Sequence, residues 1–228
     1  MRVWFCSILT GLFLSSLAAY AEQAPSNELP TVVLFGDSIR LGYAPVVTKQ
    51  LAGRAKVVSP PKNGGDSANV LRKLDEWALP AQPAIVHFNC GIHDVKKFKA
   101  TGKFQVSPTE YEANLRAIVE RLRKETKAKV FFALTTPIID DRAAKLRAEK
   151  DYELLNASTE QYNEIARRVM KELDVPVNDL RAALGNAAEQ ERLMGDDGVH
   201  FERPGVEKLG TAVADFLSQH LPVAAASK

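Results

Sequence analysis

Thr31 to Phe35 is an unbroken, β-prone apolar run that stops at Gly36, and it predicts a buried central strand. Ala84–Phe88, ending at Asn89-Cys90-Gly91, and Lys129–Leu134, ending at Thr135-Thr136-Pro137, have the same character. Two shorter runs, Lys56–Ser59 and Val175–Val177, complete a set of predicted strands. Between them the pattern turns helical. Pro45 suits the first turn of a helix running to about Gly53. Ser67–Glu76 places Val70, Leu71 and Leu74 on one side. Ser107-Pro108-Thr109-Glu110 is a capping box ahead of an inner face made of Tyr111, Leu115, Ile118, Val119 and Leu122. A highly charged helical region follows, with Tyr162, Ile165, Val169 and Leu173 inward. Pro204 opens a last helix with Val206, Leu209, Val213, Phe216 and Leu217 inward. Lys96–Gln105 is basic and reads as a loop. Strands that alternate with helices in this way imply a parallel five-stranded sheet in an α/β domain, covered on both faces. Ligands in such a sheet bind outside the carboxyl ends of the strands.

The amino terminus has a different pattern. Met1-Arg2 is a short basic start, Val3–Leu17 is mostly apolar, and Ala19 and Ala21 are small. This predicts a secretory signal peptide over residues 1–21, cut before Glu22, and hence a secreted or periplasmic protein. A retained membrane anchor is the competing reading, and the small-residue cleavage site argues against it. Residues 22–30 read as a short polar leader, 31–221 as one domain and 222–228 as a tail. No other apolar run is long enough to span a bilayer, so no membrane span is expected after cleavage. The mature chain would keep one cysteine, Cys90, and therefore no internal disulfide. That thiol reads more readily as a small buried apolar residue than as a reactive group.

Composition narrows the class without naming a function. With 228 residues, 46% hydrophobic and 25% charged, the chain is globular rather than disordered, collagenous or a coiled coil. A net charge of +2 offers no electrostatic case for nucleic acid as a partner.

The chemistry therefore has to be sought at the strand ends. Gly36-Asp37-Ser38 follows the first strand. A serine in that tight turn presents an accessible hydroxyl and a free N–H, which a nucleophile and an oxyanion donor require, although serine there also serves as a helix cap. Asn63-Gly64-Gly65-Asp66 follows the second strand, either as an ordinary turn or as a place where backbone N–H groups approach a ligand. Gly91-Ile92-His93-Asp94 follows the third, where an imidazole N–H could be a further donor or simply a loop histidine. Late in the chain, Asp197-Gly198-Val199-His200 has a spacing at which a carboxylate can hold an imidazole in the tautomer of a general base. Each block alone is weak evidence.

Taken together, in this order and at these strand ends, the blocks resemble the SGNH (GDSL-type) hydrolases over essentially Thr31 to Leu221. The resemblance implies a flavodoxin-like three-layer α/β/α sandwich and serine esterase or acyl hydrolase activity without a cofactor or metal. It implies Ser38 as nucleophile, His200 as general base and Asp197 as its orienting carboxylate. The implied oxyanion hole is the N–H of Ser38, the N–H of Gly65 and a side chain from the third block. That block departs from the family, which has Asn where this chain has His93. Three readings stay open: His93 fills the role, Asn89 reaches in, or the hole has two donors. The G-x-S-x-G elbow of the α/β-hydrolases is absent, since Ile39-Arg40 follows Ser38.

The expected function is hydrolysis of an acyl ester by an exported enzyme, most simply an O-acetyl group on a carbohydrate. A small-molecule or glycan ester is thus the expected partner. A lipid or thioester acyl hydrolase, and a non-catalytic glycan-binding protein on the same scaffold, are the alternatives. Asp37 reads as structural. Lys96, Lys97, Lys99 and Lys103 form a basic cluster that either attracts an acidic substrate or is a solvated loop.

Overall fold

The computed structural model describes residues 28–222, of which 29–222 belong to one compact unit. The expected signal peptide at 1–21 lies outside the described residues, as do most of the 22–30 leader and nearly all of the 222–228 tail.

The main sheet holds β1 (Thr31–Phe35), β2 (Lys56–Val58), β3 (Ile85–Phe88), β5 (Lys129–Ala133) and β7 (Val177–Asn178). Its order is β2-β1-β3-β5-β7, and every pairing is parallel. β1 and β3 lie at the centre with nearly every residue buried, which accounts for their unbroken apolar runs. The helices are α1 (Ser38–Gln50), α2 (Ser67–Arg72), α3 (Leu74–Trp77), α4 (Pro108–Glu125), α5 (Asp140–Leu146), α6 (Asn156–Glu172), α7 (Leu180–Ala183), α8 (Ala187–Leu193) and α9 (Arg203–Ser218). α1 packs on α9, while α2, α4 and α6 pack in a row, so the sheet is sandwiched in three layers. Side chains along β3 sort by strand alternation. His87 meets Tyr43 of α1 and Phe216 of α9, and Phe88 stacks on Phe35 and meets Phe132 edge to face.

Several expectations hold in detail. The Ser107–Glu110 capping box is complete, and Tyr111, Leu115, Ile118, Val119 and Leu122 are the buried face of α4. Cys90 is fully buried.

Others are corrected. α1 begins at Ser38, not at Pro45, because the Asp37 carboxylate accepts the Ile39 N–H at 2.9 Å and caps the helix there; Pro45 lies inside it. The expected Ser67–Glu76 helix is two short helices that meet at Lys73. The last strand begins at Val177, two residues beyond the expected start, while the Pro176 carbonyl already accepts the Phe132 N–H. The stretch read as a basic loop contains β4 (Lys97–Phe98), which pairs antiparallel with β6 (Tyr152–Glu153) in a separate two-stranded ribbon.

His87 is an ionisable group in the centre of the core. Burial pushes its imidazole down to about 3. The unfolded chain takes up this proton near its ordinary pKa of about 6.5, whereas the folded chain does not until about pH 3. Stability from this residue is therefore lost as pH falls through that window, by an amount on the order of 4 kcal/mol. Asp94, raised by burial to about 7, contributes the opposite slope between its unfolded value and pH 7. The informative quantity is thus the difference between wild type and variant. His87→Leu is expected to lower the melting temperature at pH 7 yet lose less of it than wild type between pH 7 and pH 4.5, read by circular dichroism.

Candidate active site

Three strand-end segments and the Asp197–His200 turn converge on one cavity of about 190 Å³ lined by Ser38, Asn63, Ile92, His93, Lys96, Arg147, Tyr152, Leu154, Val199 and His200. Ser38 is the first residue of α1. Its N–H belongs to the helix turn that has no intrahelical carbonyl to bond, at the positive end of the helix dipole. Its Oγ lies 2.7 Å from Nε2 of His200. The other ring nitrogen, Nδ1, lies 2.5 Å from Oδ2 of Asp197. A nitrogen facing a carboxylate must carry the proton, so Nε2 is left to accept from the Ser38 hydroxyl.

The Asp197–His200 segment is a tight turn whose backbone is bound to its own carboxylate. Oδ1 of Asp197 accepts the N–H groups of Val199 at 2.9 Å and His200 at 2.8 Å. Burial alone would raise this carboxyl, but the hydrogen bonds from the His200 ring and from the two backbone N–H groups outweigh it and hold the pKa below the usual range. Arg147 donates to the Asp197 carbonyl at 2.7 Å and sits 3.9 Å from its carboxylate. Gly198 has φ +68°, and a Cβ there would lie 2.5 Å from the Ile139 carbonyl oxygen, so only glycine fits. The Asp197 side chain is 21% exposed and that of His200 51%, which leaves the base open to the cavity while its partner is sheltered.

Asp37 and Arg40 tie the first three segments together. Besides capping α1, Oδ1 of Asp37 accepts Nδ2 of Asn89 at 2.8 Å. Asn89 is therefore committed to the buried Asp37 at the end of β3, which removes it as an oxyanion donor. The fully buried Arg40 guanidinium donates to Ser59 Oγ at 2.9 Å and to the carbonyls of Pro60 at 2.5 Å, Gly36 at 3.1 Å and Lys62 at 2.8 Å. Burial lowers its pKa, against the opposing pull of Tyr43 and Asp37. The Gly36 carbonyl also receives the Gly64 N–H at 2.7 Å, and a Cβ on Gly64 would come within 2.5 Å of that oxygen. The loop after β2 is thus fastened to the turn that carries Ser38.

Asp94 fastens α2 to the third segment. Its carboxylate accepts the Ser67 N–H at 3.0 and 3.1 Å and also the Ser67 hydroxyl, which receives Nδ2 of Asn114 at 2.9 Å. Beside it His93 lines the cavity, and burial, with Lys96 adding to it, pushes the imidazole below its usual pKa. His93 is thereby kept neutral near pH 7, with one ring N–H to donate.

Gly65 has a feature that sequence reasoning missed. Its N–H donates to Oδ1 of its neighbour Asn63 at 2.8 Å. Asn63 was read only as part of a turn, yet it lines the cavity. Its only sequence signal was its position two residues before the glycine, the spacing at which an Asn side chain bonds a backbone N–H two residues on.

A parallel five-stranded sheet with these blocks at its strand ends is the SGNH hydrolase fold. Residues 34–208 match the GDSL-like lipase/acylhydrolase family, and the chain belongs to that family. Acyl-ester hydrolysis is the chemistry that membership supports. Solved structures agree on the fold. A lipase/acylhydrolase from Enterococcus faecalis superposes with a TM-score of 0.70 at 22% identity, covering 87% of this chain and 100% of its own. The acetyl xylan esterase AlAXEase gives 0.66 at 18%, covering 82% and 99%. Axe2, an acetylxylan esterase from Geobacillus stearothermophilus, gives 0.65 at 19%, covering 82% and 93%. A search of curated proteins by sequence finds no match.

Proposed function

We propose that the protein is an exported serine esterase that removes short acyl groups, in the first instance O-acetyl groups on a carbohydrate, through an acyl-serine intermediate. The observation that carries the reading is the continuous relay from Ser38 Oγ through His200 to Asp197, with contacts of 2.7 and 2.5 Å. Ser38 Oγ attacks the ester carbonyl as its proton passes to Nε2 of His200. The tetrahedral intermediate collapses, and the leaving alkoxide takes that proton. Water then adds to the acyl-enzyme, gives a proton to His200 and releases the acid, while Ser38 recovers its proton. Asp197 stays ionised and stabilises the imidazolium in both halves.

The oxyanion sits against the Ser38 N–H and the His93 ring. The Gly65 N–H joins them once the developing charge displaces the Asn63 carbonyl oxygen. No cofactor has a place in this sequence of steps. The expected signal peptide supports export. Carbohydrate as the alcohol moiety is supported by the acetyl xylan esterases among the structural neighbours. The size of the acyl group is supported by the cavity lining, in which Ile92, Leu154 and Val199 are the aliphatic side chains, a short apolar wall for a long chain.

Ser38→Ala is expected to lower kcat on an aryl acetate by roughly 10³-fold or more with an unchanged circular dichroism spectrum, and retained turnover would remove Ser38 from the mechanism. Wild type is expected to cleave acetyl esters faster than octanoyl esters of the same alcohol, and the reverse order would overturn the short-acyl reading. His93→Ala is expected to lose ~10²–10³-fold in kcat, and His93→Asn to recover much of it, because each of His and Asn offers a side-chain N–H donor there. Equal activity in His93→Ala and wild type would leave the hole with backbone donors only.

A further inference from the structure

The ribbon of β4 and β6 brings two cavity residues together, Lys96 just ahead of β4 and Tyr152 within β6. Lys96 Nζ lies over the Tyr152 ring, 5.2 Å from its centroid. The charges around the cavity do not balance at this point. Arg147 is matched to Asp197. The remaining nearby carboxylates are committed as well: Asp37 caps α1 and holds Asn89, Asp66 caps α2 and accepts Nε2 of Gln105, and Asp94 holds Ser67. Among the described residues, no carboxylate lies within ion-pair distance of Lys96.

The structure separates Lys96 from the rest of its cluster. Lys97 pairs with Glu153 at 3.8 Å, Lys99 donates to the carbonyls of Arg147 and Ala148, and Lys103 is exposed away from the cavity. Lys96 is half-buried, and the cavity beside it is lined by Ile92, Leu154 and Val199. Apolar walls strengthen the field of a charge compared with open water. That field reaches the reacting groups, since Lys96 contributes to the lowered pKa of His93.

We propose that Lys96, backed by the Tyr152 ring, is an anion subsite of the Ser38–His200 cavity, and that the ester cleaved carries a carboxylate on its alcohol moiety, as in an O-acetylated acidic sugar. The inference rests on the esterase reading and adds the substrate class. The carboxylate of the substrate supplies the partner that Lys96 lacks within the protein. The ring of Tyr152 holds the lysine side chain against the wall, so that less of its freedom is lost on binding.

The test compares two substrates that differ only in charge, O-acetylated glucuronate and O-acetylated glucuronamide. Wild type is expected to favour the acid in kcat/KM by about tenfold at low salt, with the preference shrinking as salt is raised to about 0.5 M. In Lys96→Met the ratio of acid to amide is expected to fall close to one, and in Lys96→Arg most of it is expected to remain. A wild-type ratio near one, the same preference in Lys96→Met, or no cleavage of either sugar would overturn the subsite. Aryl acetate hydrolysis serves as the separate control. If wild type cleaves it and Ser38→Ala does not, the esterase reading stands whatever the sugar ratio shows; if wild type does not cleave it, that reading fails first.

Discussion

A buried carboxylate beside a buried guanidinium holds this site in register. Asp37 caps the helix that begins with Ser38 and grips Asn89 at the end of the neighbouring strand. Arg40, three residues further along the same helix, takes up three carbonyls and a hydroxyl at the ends of the first two strands. Neither residue touches the reacting atoms. Between them they fix where three strand ends stand relative to one another, and the proposed oxyanion hole needs that to within a fraction of an ångström. The pair is held by the bonds it does make: Oδ1 of Asp37 accepts two donors and both terminal nitrogens of Arg40 are taken, while Asp37 Oδ2 and Arg40 Nε are buried without a hydrogen-bond partner.

The last segment is secured by other means. The Asp197–His200 turn is bound to its own carboxylate, held by Arg147 from outside and pressed by Gly198 against the start of α5. The His200 ring therefore reaches Ser38 from a self-contained turn rather than from the sheet. The serine and the imidazole are set by separate networks, and the 2.7 Å contact between them is where the networks meet.

Much of this was legible in the sequence because the signals were local. β1 and β3 are buried on both faces and read as unbroken apolar runs, and the Ser107–Glu110 box marks the start of α4. Ser38 and His93 stood out in blocks at predicted strand ends, and Asp197 and His200 in a late D-x-x-H block; the structure puts Ser38, His93 and His200 on one cavity, with Asp197 behind the His200 ring. What was not legible depended on distant partners. Pro45 looked like a helix start because the stronger cap, Asp37, was read as a structural residue of the turn and not as a helix cap. β4 and β6 are two residues each, carry charges and pair across some fifty residues, so neither has a pattern of its own. Arg40 carried no signal, because three of its four acceptors are backbone carbonyls, which leave no trace in a sequence.

The hydrogen bond from the Gly65 N–H to Asn63 has a thermodynamic meaning. A resting amide oxygen and a resting ester oxygen are both neutral acceptors, so exchanging one for the other changes little while the ester is intact. A negatively charged oxygen is a much stronger acceptor, and only it displaces the amide at a profit. In the proposed mechanism, a donor occupied in this way adds little grip on an unreacted ester and acts late along the reaction coordinate, lowering the barrier without deepening the well before it.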